Sequence, residues 1–306
     1  MAIIRNRDGE VLFDEPGKSV RQLIVENKRP VSAGPDGLLA PLADADLHGQ
    51  DLHGLDLSGA WLIDADLSHA NLAGADLDGA DLSDADLTGA DLSEATGGED
   101  TRLDGADMQA TTLDHADLSD AHMEGVRLEG AIAPGLALAG AQLTGATLYG
   151  AMLDGTVLDG ANLQFAALTG ASLSCAGLHG AFMELAVLAY TDLSDADLKH
   201  ASLEGADLRG SDLTRANLRN ADMRPLRVGD GTRRVSLSHA RLDSADLSGA
   251  DMTGVILDLA SCRDADTTGT NLRDATPADM AALLTEPDPE PPASPGGRWI
   301  QPTLGI

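Results

Sequence analysis

A five-residue pattern of apolar and polar positions runs almost unbroken from about residue 42 to residue 272, as in Ala75-Asp76-Leu77-Asp78-Gly79. In an α-helix each residue advances about 100°, so a leucine at every fifth position would be scattered around the helix. In an extended segment residues two apart share a face, which puts Ala75 and Leu77 on one side and Asp76 on the other. The last two positions must then turn the chain. Repeated corners of one hand predict an all-β solenoid with leucine inside and aspartate outside.

The central apolar position of the pentad keeps its register in three blocks, at positions 42–92, 103–228 and 237–272. Of these 45 centres, 41 are Leu or Met, and the exceptions are Ala133, Val228, Cys262 and Thr267. The two intervals between blocks lie within 95–102 and 224–236. We expect both to bulge out as loops, and their candidate contact residues are Gly97, Gly98, Glu99, Asp100, Arg227, Asp230 and Arg233.

The repeated A(D/N)Lxx motif resembles that of the pentapeptide-repeat family, over roughly three quarters of the chain. Known members form right-handed, square-sectioned β-helices with four pentads per coil. The resemblance therefore implies a right-handed quadrilateral β-helix of about 11 coils, and at about 4.8 Å per strand the rod would be on the order of 50 to 55 Å long. Handedness and the four-sided section come from this resemblance, because five-residue spacing alone does not supply them.

The N-terminal segment, residues 1–37, is expected to cover one end of the solenoid, residues 38–275. Two strands, at 2–5 and 10–13, are joined by the turn pair Asp8-Gly9, and Ser19 with Gln22 starts a short helix at 20–27. A similar hairpin-then-helix head occurs in many phage and bacterial pentapeptide-repeat proteins. The residues that carry this likeness are Asn6, Arg7, Gly9, Val11, Leu12 and Phe13.

At the C-terminal end, Thr276-Pro277-Ala278-Asp279 predicts an N-cap followed by a short capping helix, Met280 to Leu284, within 276–285. The tail at 286–306 is rich in proline, glycine and acidic residues and ends in an apolar stretch with Trp299 and Ile300. Two interpretations stay open for this stretch: a docking peptide for a partner, or a strand that folds back on the chain's own surface.

Composition supports the solenoid, because aromatic residues make up only 2% of the chain, too few for an ordinary globular core of 306 residues. No run of about 18 apolar residues occurs, and the charged N-terminus lacks an apolar signal core, so we expect a cytoplasmic protein without a membrane span. Cys175 and Cys262 are the two cysteines, 87 residues apart, and no disulfide is expected.

The formal charge of −30 is concentrated in one half of the repeat. Residues 42–121 contain 20 acidic residues against Arg102 alone. Four coils span about 19 Å, over which duplex DNA carries roughly 11 phosphate charges at about one per 1.7 Å. Such an exterior repels nucleic acid but suits a protein that normally binds DNA. Plain solvation of a β-rod by its outward aspartates is the alternative.

Apolar side chains concentrate in the middle of the chain, where four of its seven aromatic residues lie between residues 149 and 190. We expect a contact surface for a partner or for self-association, with homodimer or assembly contacts as one outcome. The alternative is a scatter of single apolar residues over several faces. The residues of this predicted apolar belt are Tyr149, Met152, Phe165, Phe182, Leu185 and Tyr190.

No nucleophile elbow, phosphate-binding loop or metal-ligand motif is present, and no cofactor, metal site or catalytic residue is predicted. The leading hypothesis is a non-catalytic DNA mimic that binds a protein. The resemblance to gyrase-directed family members implies a type II topoisomerase, DNA gyrase or topoisomerase IV, as its partner. Its candidate contacts are two acidic ladders, Asp46, Asp66 and Asp86 in one and Asp56 and Asp76 in the other. The alternative is a structural or scaffold protein, for example a phage-particle component, that uses the apolar belt and the tail.

Overall fold

The structure, a computed structural model, describes residues 2–27, 31–32, 38–39 and 42–276. Residues 42–276 form a four-sided β-helix. The outward residue of each pentad forms a parallel β-bridge with the outward residue one coil later, as Asp56 does with Asp76. The spacing between bridged residues is 20 in regular coils, so one coil contains four pentads, and it rises to 21 and 29 across the two register breaks.

The four faces are numbered here in chain order by their outward residues. Face 2 runs from Asp51 to Ser261, face 3 from Asp56 to Asp266, and face 4 from Trp61 to Asn271. Face 1 carries Asp46, Asp66, Asp86, Asp107, Arg127, Thr147, Ala167, Val187, Asp207, Ser236, Ile256 and Thr276. Each face is thus a column of side chains that continues along the axis of the rod.

The core is the lumen of this helix. The central Leu or Met of the pentads and the Ala two residues earlier are buried through most of the repeat, with Leu67 and Ala65 at 0% exposure. Where Thr replaces the small Ala, its hydroxyl needs an acceptor inside the lumen. The hydroxyls of Thr156 and Thr191 donate to the carbonyls of Ala133 and Leu168, at 3.2 and 2.9 Å. The apolar lumen therefore tolerates these polar side chains.

A pentad with an outward Asp or Asn can satisfy all five of its backbone N–H groups, as residues 66–70 show. Four of them donate to backbone carbonyls of their own or a neighbouring coil at 2.8 to 3.0 Å. The fifth, that of Ser68, lies in the corner and donates to Oδ1 of Asp66 at 3.0 Å. The outward Asp therefore closes its own corner, which explains why the repeat favours Asp or Asn there.

The N-terminal segment continues face 1 beyond the first coil. Strands β1 (Ala2–Asn6) and β2 (Val11–Glu15) form an antiparallel hairpin, and β1 also pairs antiparallel with β5 (Ala45–Asp46). Helix α1 (Val20–Asn27) buries Leu23 and Ile24, and the short strands β3 (Val31–Ser32) and β4 (Leu38–Leu39) pair with each other.

Ser19 and Gln22 form the expected reciprocal cap of α1, since the N–H of each donates to the other's side chain, at 2.9 and 3.2 Å. Both strands of the hairpin extend one or two residues beyond the predicted segments. No helix in the described ranges is long and apolar enough to cross a lipid bilayer. The predicted helix Met280 to Leu284, with Trp299 and Ile300, lies outside the described residues.

One predicted inward centre is wrong. Val228 is 44% exposed, because the repeat register ends at Met223 and the chain leaves the rod as a hairpin of β6 (Leu226–Val228) and β7 (Gly231–Arg233). The physical reason is Pro225. The last corner position of a pentad has φ near +60°, as in Asp64 and Gly254 at +58° and +70°, and proline is locked near −65°. The corner between face 4 and face 1 therefore cannot form at Pro225, and the chain does not form the pentad that would have Val228 at its centre.

Candidate protein-binding surface

The acidic ladders have the geometry that the sequence predicts. Asp46, Asp66 and Asp86 are consecutive rungs of face 1, and Asp56 and Asp76 are consecutive rungs of face 3. Asp107 adds a fourth rung to face 1. Because neighbouring rungs belong to adjacent strands, the columns repeat at about 4.8 Å along the axis. The structure therefore brings each predicted ladder together, on two different faces.

The carboxylates of both ladders also have a structural task. Each accepts a hydrogen bond from the backbone N–H two residues later, at distances between 3.0 and 3.3 Å. Asn does the same at other outward positions, where its Oδ1 accepts the corner N–H at 3.1 to 3.2 Å: Asn71, Asn162, Asn217 and Asn271. A neutral amide oxygen can thus close the corner as a carboxylate does, without a negative charge.

Some corners without an outward Asp or Asn use another acceptor. Where the outward residue is His122, Ser172, Gly177 or Ser261, a carboxylate from the coil below accepts the corner N–H instead. These acceptors are Asp104, Asp154, Asp159 and Asp243, at 2.9 to 3.1 Å. Pro134 follows the apolar Ile132 and has no N–H that would need an acceptor. The same site in the corner is thus satisfied in three ways.

Few cations approach the ladders. Arg7 lies 3.8 Å from Asp86, and Arg127 lies 2.8 Å from Asp107. Solvent-exposed pairs of this kind are each worth about 1 kcal/mol or less. Burial raises the pKa of Asp66, but the hydroxyl and N–H of Ser68, with Arg7 nearby, outweigh it and hold this pKa below its ordinary value. The ladder carboxylate is therefore stabilised as an anion.

Several arginines of the C-terminal half are paired with acids of the same half. Arg209 donates from Nε to Oδ1 of Asp207 at 2.7 Å, and Arg215 donates to Asp195 at the same distance. The hydrogen bond from Arg215 holds the pKa of Asp195 below its ordinary value. Positive and negative charges alternate on this part of the rod, in contrast to the acidic N-terminal half.

The predicted apolar belt does not form a closed ring. Met152 lies on face 2 and Phe182 on face 4, while the other four residues line the two edges of face 1. Together with the outward residues of the same coils they form what we call the apolar panel: Tyr149, Phe165, Ala167, Leu185, Val187 and Tyr190. Phe165 and Tyr190 are 58% and 72% exposed, so this panel presents aromatic edges to solvent. Face 1 therefore carries the acidic ladder at its N-terminal end and an apolar surface in its middle.

The two register breaks are structurally different. At Gly97–Asp100 the corner takes up one extra residue, and the buried Thr101 donates to the carbonyl of Leu77 at 3.0 Å. The second break is the β6–β7 hairpin, which exposes Arg227 and Asp230. The base of this hairpin packs on the rod, because Leu226 and Leu185 both lie over Gly205.

Two pairs of histidine rings meet across neighbouring coils. The rings of His48 and His69 lie edge to face with centroids 5.6 Å apart, and those of His179 and His200 are 5.5 Å apart. A spacing of 21 residues, one coil plus one corner position, is the signal that could have found them. Within the described ranges no group of three or more His, Cys, Asp or Glu side chains is placed to hold a metal ion.

Comparisons with known proteins agree with the repeat architecture. No curated protein matches this chain. The solved structure of HetL, described as a pentapeptide repeat protein involved in heterocyst differentiation regulation from the cyanobacterium Nostoc sp. strain PCC 7120, is 38% identical. That match covers 65% of this chain and 86% of HetL, with a TM-score of 0.52.

Two further solved structures are similar over part of the chain. QnrB1, described as a plasmid-mediated fluoroquinolone resistance protein, is 17% identical over 68% of this chain and 94% of its own, with a TM-score of 0.41. A pentapeptide repeat protein of the Arabidopsis thaliana thylakoid lumen is 30% identical over 37% of this chain and 70% of its own, with a TM-score of 0.21. At these TM-scores neither likeness carries a functional argument.

A family model described as pentapeptide repeats matches eight copies along the rod. The matched residues are 42–68, 62–96, 99–130, 137–174, 153–189, 191–224 and 236–274, which is more than half of the chain. With the bridges at 20-residue spacing and the inward leucines, this match settles the family. The chain belongs to the pentapeptide-repeat family and folds as a right-handed β-helix solenoid.

Proposed function

We propose that this protein is a non-catalytic binding protein whose acidic half imitates duplex DNA and so occupies the DNA-binding surface of an enzyme. DNA gyrase or topoisomerase IV is the partner we propose first, on the basis of the family to which the chain belongs. The observation that carries the proposal is the unbroken run of charged Asp on face 1, from Asp46 to Asp107.

The choice of Asp over Asn is the central point. Asn closes the corner equally well in this chain, and Asn71 also donates from its side chain to Asp51 one coil below, at 3.3 Å. Four stacked carboxylates repel one another, because like charges opposite each other on neighbouring strands are destabilising. Asn could supply the corner hydrogen bond of each rung, so the corner geometry does not require four stacked charges, and we attribute their choice to recognition or solubility.

The axial distribution of charge favours recognition over general solvation. Solvation alone would be served by acids and bases mixed along the rod, as on the C-terminal half. The N-terminal half instead carries 20 acidic residues over about four coils. Duplex DNA carries roughly 11 charges over the same length of about 19 Å. A groove that binds phosphates would attract this half of the rod.

The test is a variant in which all five ladder residues are changed to Asn: Asp46→Asn, Asp66→Asn, Asp86→Asn, Asp56→Asn and Asp76→Asn. The corner hydrogen bonds are retained, so the fold should be retained, and circular dichroism and thermal melting check this. We expect the native protein to inhibit gyrase supercoiling. In the variant we expect a concentration for half inhibition raised by about 10-fold or more, equivalent to about 1.4 kcal/mol of binding.

The matched control changes five outward Asp residues of the C-terminal half to Asn: Asp192, Asp197, Asp246, Asp251 and Asp266. It alters the net charge by the same amount and keeps the same corner geometry. We expect inhibition close to that of the native protein. Equal loss in both variants would show that total charge matters and the ladder does not. No inhibition of either enzyme by the native protein would reject these partners.

A structural or scaffold role is the second proposal. It is supported by the exposed aromatic edges of the apolar panel, which a purely electrostatic mimic does not need. Deletion of residues 286–306 separates the two functions. Loss of assembly with unchanged gyrase inhibition would favour the scaffold role, and unchanged assembly would count against it.

A further inference from the structure

The apolar panel on face 1 is largely exposed, except at Leu185, which lies beside Leu226 at the base of the β6–β7 hairpin. Its three coils place Tyr149, Phe165, Val187 and Tyr190 on one side of the rod, with exposed fractions of 48%, 58%, 37% and 72%. On the C-terminal side the panel ends at the coil of Asp207, where Arg209 pairs with Asp207. The panel is thus bounded by charged side chains and has the size of a short apolar peptide.

The chain leaves the described β-helix on the same face. Thr276 forms the last bridge of face 1, with Ile256. From Thr276 the outward column descends through Ile256, Ser236 and Asp207 to Val187, which is four strand spacings or about 19 Å. Leu259, 76% exposed at the edge of faces 1 and 2, lies beside this path. A segment that continued from Thr276 and turned back would therefore follow face 1.

We infer that the C-terminal stretch Arg298-Trp299-Ile300 docks intramolecularly on the apolar panel of face 1. Residues 286–298 are rich in proline, and at about 3.1 Å per residue an extended segment of this length reaches about 40 Å. This exceeds the distance of about 19 Å between the last coil and the panel. Trp299 and Ile300 supply large apolar side chains that can cover the exposed panel.

The chain contains two tryptophans, which allows a direct test. In a Trp61→Phe protein, Trp299 is the only indole reporter. We expect its fluorescence to be blue-shifted and poorly quenched by acrylamide, at all protein concentrations. A solvent-exposed Trp299 would overturn the inference. Protection that appears only at high concentration, together with a dimer mass, would mean that a second copy binds the tail and would also overturn it.

The panel variant is Phe165→Asp with Val187→Asp, made in the Trp61→Phe protein. Both sites accept Asp without strain. Asp207 already occupies the outward position on face 1 that corresponds to Val187, and Asp64, with φ of +58°, occupies the corner position that corresponds to Phe165. We expect the blue shift to be lost and quenching to rise several-fold. The matched control, Phe182→Asp with Val157→Asp, removes the same residue types from faces 4 and 3. It should leave Trp299 protected, and loss in the control or retention in the panel variant would refute docking on face 1.

Disulfide trapping gives an independent result if the panel variant fails to fold. Val187→Cys and Ile300→Cys are combined with Cys175→Ser, and Val157→Cys replaces Val187→Cys in the control. Oxidation should produce a cross-linked monomer several-fold faster for Val187→Cys than for the control. Equal rates, or a covalent dimer as the main product, would overturn the inference. Gyrase inhibition is a separate readout, so failure here leaves the proposed DNA mimicry standing.

Discussion

The ring of Tyr190 lies over Gly210 in the next coil, so that a Cβ at residue 210 would stand 2.7 Å from Cδ1 and Cε1 of the ring. The same relationship joins His69 to Gly89 and His115 to Gly135. A large side chain at the left-handed corner position thus points along the axis and covers the corner of the following coil. Glycine in that following corner supplies both the positive φ and the space.

Gly210→Ala is therefore expected to be more destabilising than Gly160→Ala. Both glycines have φ of +67°, but only a Cβ at residue 210 meets another side chain. Each change should cost about 1 kcal/mol from the left-handed backbone. Gly210→Ala should cost about 1 kcal/mol more, because the Tyr190 ring must move. Denaturant or thermal unfolding of both variants measures the difference.

The double variant Tyr190→Ala with Gly210→Ala tests the cause of this excess. Without the ring, Gly210→Ala should cost only as much as Gly160→Ala, and the coupling energy should vanish. An excess that persists in the Tyr190→Ala background would show that the ring is not responsible.

Gly97→Ala is expected to destabilise the first register break by about 1 to 3 kcal/mol through overpacking. A Cβ at residue 97 would lie 2.8 Å from Oγ1 of Thr101 and 3.2 Å from Cδ2 of Leu118, and both of these residues are buried. Gly98→Ala is the control, since its Cβ would meet only the carboxylate of Asp78, at 3.1 Å. Equal melting temperatures for the two variants would contradict the packing described for this corner.

The two cysteine thiols should differ sharply in reactivity. Cys175 is exposed at a corner, whereas Cys262 points into the lumen, where burial, reinforced by the charge of Asp243, raises its pKa to about 12. Because the thiolate is the reactive form, a thiol reagent at pH 8 should modify one equivalent in the folded protein and two in denaturant. Cys175→Ser should abolish the reaction of the folded protein, and any fast residual labelling would place Cys262 outside the core.

Acid should destabilise the rod through its outward aspartates. The pKa values of Asp66, Asp251 and Asp266 lie below their ordinary value in the folded protein. The unfolded chain therefore binds protons first, so this stabilisation is present above about pH 4 and is lost as the pH falls through the lower folded-state pKa values. Thermal melting between neutral and strongly acidic pH should show the loss.

Ser68→Ala provides a sharper measurement of the same effect. It removes the hydroxyl that donates to Asp66 but retains the backbone N–H bond. Carboxyl NMR should show the pKa of Asp66 rising towards the ordinary range, with a smaller acid-induced drop in the melting temperature. An Asp66 that titrates normally in the native protein would contradict the contacts described here.

Particular residues show why the fold was largely predictable from the sequence. Leu67 and Asp66 repeat so regularly that a solenoid buries the first and exposes the second, whereas the four-sided section, and with it the face assignments, came from the resemblance to the family. Val228 was misassigned because it continues the five-residue spacing, although Pro225 cannot adopt the corner conformation that this spacing requires. The proline was visible in the sequence, but the left-handed φ of that corner was not.

The candidate site was only partly predictable. The stacking of Asp46 on Asp66 follows from their separation of 20 residues, because a regular coil contains 20 residues and places each outward residue beside the one 20 positions later. The grouping of Phe165 and Tyr190 on one face was not foreseen, since they are 25 residues apart and lie at opposite edges of face 1. A corner side chain lies at the edge between two faces, and the backbone dihedral angles of the corner decide the direction in which it points.

The amino-acid sequence by itself determined the period, the inward leucines and the uneven charge, because an extended chain that buries every fifth residue must turn at the positions between them. Only the tertiary structure decided which side chains meet across coils: the histidine pairs, the apolar panel and the return of the β6–β7 hairpin onto Gly205. These contacts depend on corner geometry and on the axial direction of side chains at positive φ, and neither property is encoded in a residue's polarity.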